Sequence, residues 1–113
     1  MFTNIEEHFN KQVIYAHAGA GELHLRPILN LKKSKDVEDF YQISKASAEI
    51  VKKYEGSLSG EHGDGRLRGA FIPMMVGNEN YELFKRVKSV WDPKDIFNPN
   101  KIVNTPMMNT SLR

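Results

Sequence analysis

Gln12-Val13-Ile14-Tyr15-Ala16-His17-Ala18-Gly19-Ala20-Gly21-Glu22-Leu23-His24-Leu25-Arg26-Pro27-Ile28 is the stretch on which the fold turns. Val13, Ile14 and Tyr15 favour an extended chain over residues 12–18. Leu23 and Leu25 alternate with His24 and Arg26 over residues 23–28, the period of a half-buried strand. Gly19-Ala20-Gly21 supplies the turn between them, so the two runs read as a β-hairpin. His17 then ends one strand and His24 lies early in the next. Both imidazoles can face the same side of the sheet, flanking the turn.

Outward from the hairpin, Val37, Phe40, Tyr41, Ala48, Val51 and Tyr54 recur at helical spacing, which predicts a helix over residues 36–54. Ser34 or Asp36 can cap its start, and Gly56 suits the position just past its end. Residues 57–59 suit a short strand that delivers Glu61 and His62 to a sheet edge. A second helix is expected over residues 77–91, with Leu83, Phe84, Val87, Val90 and Trp91 as its apolar stripe. Asp92-Pro93 stops it, because a residue before proline disfavours helix. Both stripes read as core. Ile5 and Phe9, four apart, suggest a short helix over residues 4–11, and residues 97–103 read as extended with a turn. The order β-β-α-β-α gives an α+β fold, a small antiparallel sheet with helices packed on one face. Residues 104–113 show no periodicity and read as a linker or tail after a domain of residues 1–103. Together with the abrupt start, they suggest a piece of a longer chain.

At 113 residues the chain has room for one domain with a modest core. A net charge of +2 with dispersed basic residues gives no reason to expect nucleic acid or an anionic membrane as partner. Without cysteine there can be no disulfide or iron–sulfur cluster within these residues. No apolar run reaches membrane-span length and the N-terminus lacks a signal-peptide pattern, so a cytoplasmic location is expected. Pro73-Met74-Met75-Val76 is apolar enough to meet a partner domain, or a second copy if the chain is isolated.

The chemistry gathers in two glycine-rich segments, the hairpin turn and Ser59-Gly60-Glu61-His62-Gly63-Asp64-Gly65, which hold three of the four histidines. His17, His24 and Glu61 form a donor set suited to a divalent transition metal, with positions left open for water or substrate. Loop histidines that merely hydrogen-bond their neighbours are the competing explanation. His62 follows Glu61 and points to the opposite side on an extended backbone, where it could face a reacting group as general base; a surface or capping histidine is the commoner explanation for the residue type alone. Gly60, Gly63 and Gly65 mimic a dinucleotide fingerprint, but Arg66-Leu67-Arg68-Gly69 does not open a helix, so that assignment fails. Arg66 and Arg68 could pair with a substrate carboxylate or stand solvated.

These segments resemble the C-terminal domain of FAD-linked oxidases, the group containing D-lactate dehydrogenase, the glycolate oxidase D subunit and D-2-hydroxyglutarate dehydrogenase. The family pattern has a His-x-Gly-Asp-Gly-Asn-x-His segment, a Ser-Gly-Glu-His-Gly segment, and a closing Asp-Pro followed by Asn-Pro-Gly-Lys. In this chain they appear as His17 to His24, Ser59 to Gly63, then Asp92-Pro93 and Asn98-Pro99-Asn100-Lys101. The resemblance implies a ferredoxin-like cap domain over an FAD bound mainly by a separate N-terminal domain. It implies that His17, His24 and Glu61 hold a divalent ion, Zn²⁺ or Mn²⁺, which grips a small 2-hydroxy acid. It implies that His62 takes the hydroxyl proton as hydride passes to flavin, and that Arg66 and Glu22 line the substrate. Asn98 and Lys101 would return toward the FAD domain, and residues 105–113 resemble the linker to an iron–sulfur electron-transfer domain. Alone, the chain would neither hold FAD tightly nor turn over. Ala20 stands where the family has Asp, Glu22 where it has Asn, and Asn100 where it has Gly. Glu22 would either repel a substrate carboxylate or add a metal ligand. Two readings compete with this one: a non-catalytic α+β binding domain without metal, and a self-contained hydrolytic metalloenzyme.

Overall fold

The computed structural model describes residues 12–60, 62–110 and 112; the helix expected over residues 4–11, and Glu61, lie outside them. Two antiparallel strands, β1 (Gln12–His17) and β2 (Glu22–Pro27), form the hairpin, with Tyr15 opposite His24 and His17 opposite Glu22. A single 3₁₀ turn, Ala18–Ala20, closes it. Gly21 ends that turn at φ 64°, with its N–H on the Ala18 carbonyl, a left-handed position that glycine occupies without steric cost. Beyond the hairpin come three helices, α1 (Ser34–Lys53), α2 (Ile72–Val76) and α3 (Asn78–Trp91), with a 3₁₀ turn, Gly69–Phe71, leading into α2. The described order is therefore β-β-α-α-α, an α+β fold. The strand expected over residues 57–59 does not form; Ser57 Oγ donates to the Ser59 carbonyl and that stretch is irregular.

Helix ends differ from the expectation in an instructive way. Neither Ser34 nor Asp36 caps α1 through its side chain; Asp36 Oδ2 instead accepts the Asn30 N–H at 2.7 Å, tying the preceding loop to the first turn. At the far end Gly56 is not the left-handed residue. Glu55 takes that role at φ 56°, while the Gly56 N–H reaches the Val51 carbonyl and the Glu55 N–H the Lys52 carbonyl. Those two bonds satisfy carbonyls that a helix terminus leaves open.

The core is small. Ala48 from α1, Phe71 and Met108 are buried together, with Phe40, Tyr41, Leu58 and Met74 packed against them. Tyr41 and Phe71 stack with ring centroids 6.1 Å apart. Burying a Phe or Met side chain contributes about 1.5–3 kcal/mol, so this cluster holds α1 to the segment around α2. Residues 104–110, expected to be a linker, lie against the domain: Met108 is a core residue, and a Cβ on Gly69 would overlap the Thr105 side chain. Met74 likewise faces this core.

The α3 stripe is not core, contrary to the expectation. Leu83, Val87 and Val90 are exposed and Trp91 is 81% exposed. Helical periodicity reports an amphipathic helix, but only burial by a neighbour makes the apolar face a core, and no described element covers this one. Val13, Ile14, Tyr15, Leu23 and Leu25 of the hairpin are exposed as well. Between β2 and α1 lies an open groove of about 800 Å³, lined by Leu23, Leu25, Phe40, Ile43 and Val51 and, at one end, by Glu22 and Gly60. Among the described residues no helix is long and apolar enough to cross a membrane.

Asp92 ends α3 and organises the turn of residues 93–97. Its carboxylate, 6% exposed, takes the Lys88 ammonium and the N–H groups of Ile96 at 3.0 Å and Phe97 at 2.9 Å. Burial alone would push the Asp92 carboxyl up, but Lys88 and the two N–H groups outweigh it and hold it below the usual carboxylate value. A depressed folded-state pKa means this contribution to stability is present above the ordinary carboxylate pKa and is lost as pH falls through the folded value. Urea midpoints measured from pH 7 down to pH 3 should therefore fall at the acid end, and Asp92→Asn should flatten that part of the profile.

Candidate functional site

Strand parity builds the site. Val13, Tyr15 and His17 of β1 share a face with their cross-strand partners Arg26, His24 and Glu22. His17 and His24 meet diagonally on that face: His17 Nε2 lies 3.1 Å from His24 Nδ1, with ring centroids 5.4 Å apart. Diagonal neighbours on a strand pair are within reach of ring side chains, so the hairpin register alone brings these two together. They are two of the three expected metal donors. The third, Glu61, lies outside the described residues, and among those described no three His, Cys, Asp or Glu side chains converge as a metal site.

The second glycine-rich segment abuts this face. A Cβ on Gly60 would overlap the Glu22 carboxylate, so the backbone just before Glu61 touches the hairpin residue opposite His17. Glu22 Oε2 is buried there without a hydrogen-bond partner among the described residues. The loop is held from within. Ser59 Oγ donates to the His62 carbonyl, and Arg68 Nη2 donates to the Gly63 carbonyl at 3.1 Å and to Ser59 Oγ at 3.3 Å. Arg68 Nε also stands 3.4 Å from Asp64 Oδ1, an ion pair in which neither atom is hydrogen-bonded. Arg68 is thus a brace of the loop. Arg66, on the turn, is exposed, and so is His62.

Asn98 and Lys101 sit in the closing run, where Asp95, Asn98, Asn100, Ile102 and Asn104 all have positive φ. Three of the five are asparagines, the side chain after glycine that best tolerates this conformation. The Ile102 N–H donates to the Gly65 carbonyl at 3.1 Å, docking the run beside the loop. Sequence reasoning passed over Tyr15 and Arg26. Arg26 lies on the histidine face, its guanidinium carbon 5.6 Å from the Tyr15 ring centroid. Carrying the His17–His24 parity two residues further along each strand would have found both.

The family model of FAD linked oxidases, C-terminal domain, matches residues 3–102. The chain is 40% identical over 94 residues to D-2-hydroxyglutarate dehydrogenase of Pseudomonas putida, a match covering 83% of this chain and 9% of that protein. It is 31% identical over 98 residues to D-lactate dehydrogenase of Archaeoglobus fulgidus, covering 87% of this chain and 21% of that protein. It is also 31% identical over 91 residues to glycolate oxidase subunit GlcD of Bacillus subtilis, covering 78% and 19% respectively. The chain therefore spans between about a tenth and a fifth of the length of these curated relatives. No solved structure matches it at comparable significance. With nearly the whole chain matched, it belongs to the C-terminal domain family of FAD linked oxidases.

Proposed function

We propose that this chain is the substrate-side domain of an FAD-dependent dehydrogenase that oxidises a small 2-hydroxy acid, and that His17, His24 and Glu61 hold a divalent ion, Zn²⁺ or Mn²⁺. The observation that carries the reading is the convergence of the His17 and His24 ring nitrogens on the hairpin face against which Gly60 is packed. The residues fit such an ion. Two imidazole nitrogens come together, and the sequence next to Gly60 supplies a carboxylate. When bound, a divalent ion there makes a coordinated hydroxyl more acidic.

Oxidation to the 2-oxo acid removes a hydride from the α-carbon and a proton from the hydroxyl; FAD, when bound, accepts the hydride. His62 holds the proton at a ring nitrogen, its loop fixed by Ser59 and Arg68. Arg66 and Glu22 face the substrate on this reading, Glu22 discouraging a carboxylate at its own end of the hairpin. Asn98 and Lys101 lie on the run that turns toward the FAD domain. An iron–sulfur domain further along the polypeptide would take the electrons onward.

The test is anaerobic reduction of the flavin in the enzyme that carries this chain. D-Lactate, glycolate or D-2-hydroxyglutarate should bleach it, chelation should slow the reaction about a hundredfold, and Zn²⁺ or Mn²⁺ should restore it. No bleaching by any of the three would refute the assignment.

A further inference from the structure

On the hairpin face that carries the histidine pair, β2 presents only ionisable side chains. Going along β2, the residues on that face are Glu22, His24 and Arg26, each about 6.6–6.8 Å from the next. Glu22 presents a buried carboxylate oxygen beside Gly60 that has no hydrogen-bond partner among the described residues. Arg26, two residues past His24, is exposed and forms no ion pair with a described residue. Its guanidinium leans over Tyr15, the residue directly opposite His24. Stacking on an aromatic ring restrains a long side chain and leaves the planar edge of the guanidinium, with its paired N–H donors, available.

We propose that Arg26 is a specificity-determining residue that takes the distal carboxylate of a 2-hydroxy dicarboxylic acid, with Tyr15 as its positioning residue. The inference rests on the functional reading above for where the 2-hydroxy acid end lies, at His17 and His24. From there a ligand has two directions along the strand. Toward Glu22 it meets a like charge in a buried setting; toward Arg26 it meets a fork that binds carboxylates bidentately. Two carboxyl groups separated by a two- or three-carbon chain lie closer together than one step along the face, and the Arg26 guanidinium, leaning over Tyr15 opposite His24, reaches back across the difference. A monocarboxylic 2-hydroxy acid fills only the histidine end and leaves Arg26 unused.

The experiment compares wild type, Arg26→Gln, Arg26→Lys and Tyr15→Leu in the flavin-loaded enzyme, with D-2-hydroxyglutarate and D-lactate as the probes. The ratio of kcat/KM for the dicarboxylate over the monocarboxylate should fall about a hundredfold in Arg26→Gln, mainly through KM, because a charge-assisted bidentate contact is lost. Arg26→Lys, which keeps the charge but not the fork, should fall between, and Tyr15→Leu should lower the ratio by a smaller factor. An unchanged ratio in Arg26→Gln overturns the proposal. Calorimetric titration of both acids separates this outcome from failure of the parent reading. If neither acid reduces the flavin, the functional reading falls. The Arg26 site then stands only if wild type binds the dicarboxylate at least about tenfold more tightly than the monocarboxylate and Arg26→Gln abolishes that preference; equal binding overturns it.

Discussion

His62→Ala should slow flavin reduction by a 2-hydroxy acid roughly 10²- to 10⁴-fold, the range a positioned general base supplies, while leaving metal content intact. The variant isolates the side chain because the loop is fastened through main-chain atoms. Ser59 Oγ bonds to the His62 carbonyl, and Arg68 bonds to the Gly63 carbonyl, neither of which the substitution removes. The exposed imidazole leaves a gap that a small exogenous base can enter. Added imidazole should therefore restore part of the rate, a response that a purely structural histidine would not give. An undiminished rate, or a loss accompanied by a lower melting temperature, would remove His62 from the proton-transfer role.

The hairpin and the two longer helices, α1 and α3, were legible because each is encoded by a short-range pattern; the five-residue α2, too short to show a period, was not. Alternation around Gly19-Ala20-Gly21 fixes the turn, and with it the register that brings His17 to His24. What was not legible depends on contacts far apart in sequence. No local signal shows that Met108 returns to Ala48 and Phe71, because a lone methionine in an aperiodic run looks the same in a tail as in a core. The α3 stripe failed in the opposite sense: Leu83, Val87 and Trp91 have the right spacing for burial, but spacing carries no information about whether a neighbour is present. Position 56 was off by one because Glu55 accepts the left-handed conformation when two main-chain bonds hold it there. Within the site, the pairing of the histidines followed from parity. The bracing role of Arg68 did not, since a lone arginine in sequence shows a charge and not the carbonyls it will find.

The largest effect on metal should come from the histidine pair. His17→Ala and His24→Ala are each expected to weaken Zn²⁺ or Mn²⁺ binding by at least about a hundredfold, since loss of an outer-shell partner alone can cost that much. At 3.1 Å the two ring nitrogens share one proton between them when no cation is present, so one is donor and the other acceptor. A divalent ion needs a lone pair from each ring, so binding must break this hydrogen bond, with the donor ring carrying its proton on its other nitrogen instead. Removing one ring sacrifices the half-buried His17–His24 hydrogen bond, and a typical hydrogen bond contributes about 0.5–1.5 kcal/mol to a fold. Calorimetric affinity and melting temperature thus separate the two roles of the pair. Donors to one ion act as a unit, so the double variant should bind metal scarcely more weakly than either single one. If instead both single variants bind as wild type does and lose only melting temperature, the pair is a structural clasp of the hairpin, and the metal must be sought elsewhere or abandoned.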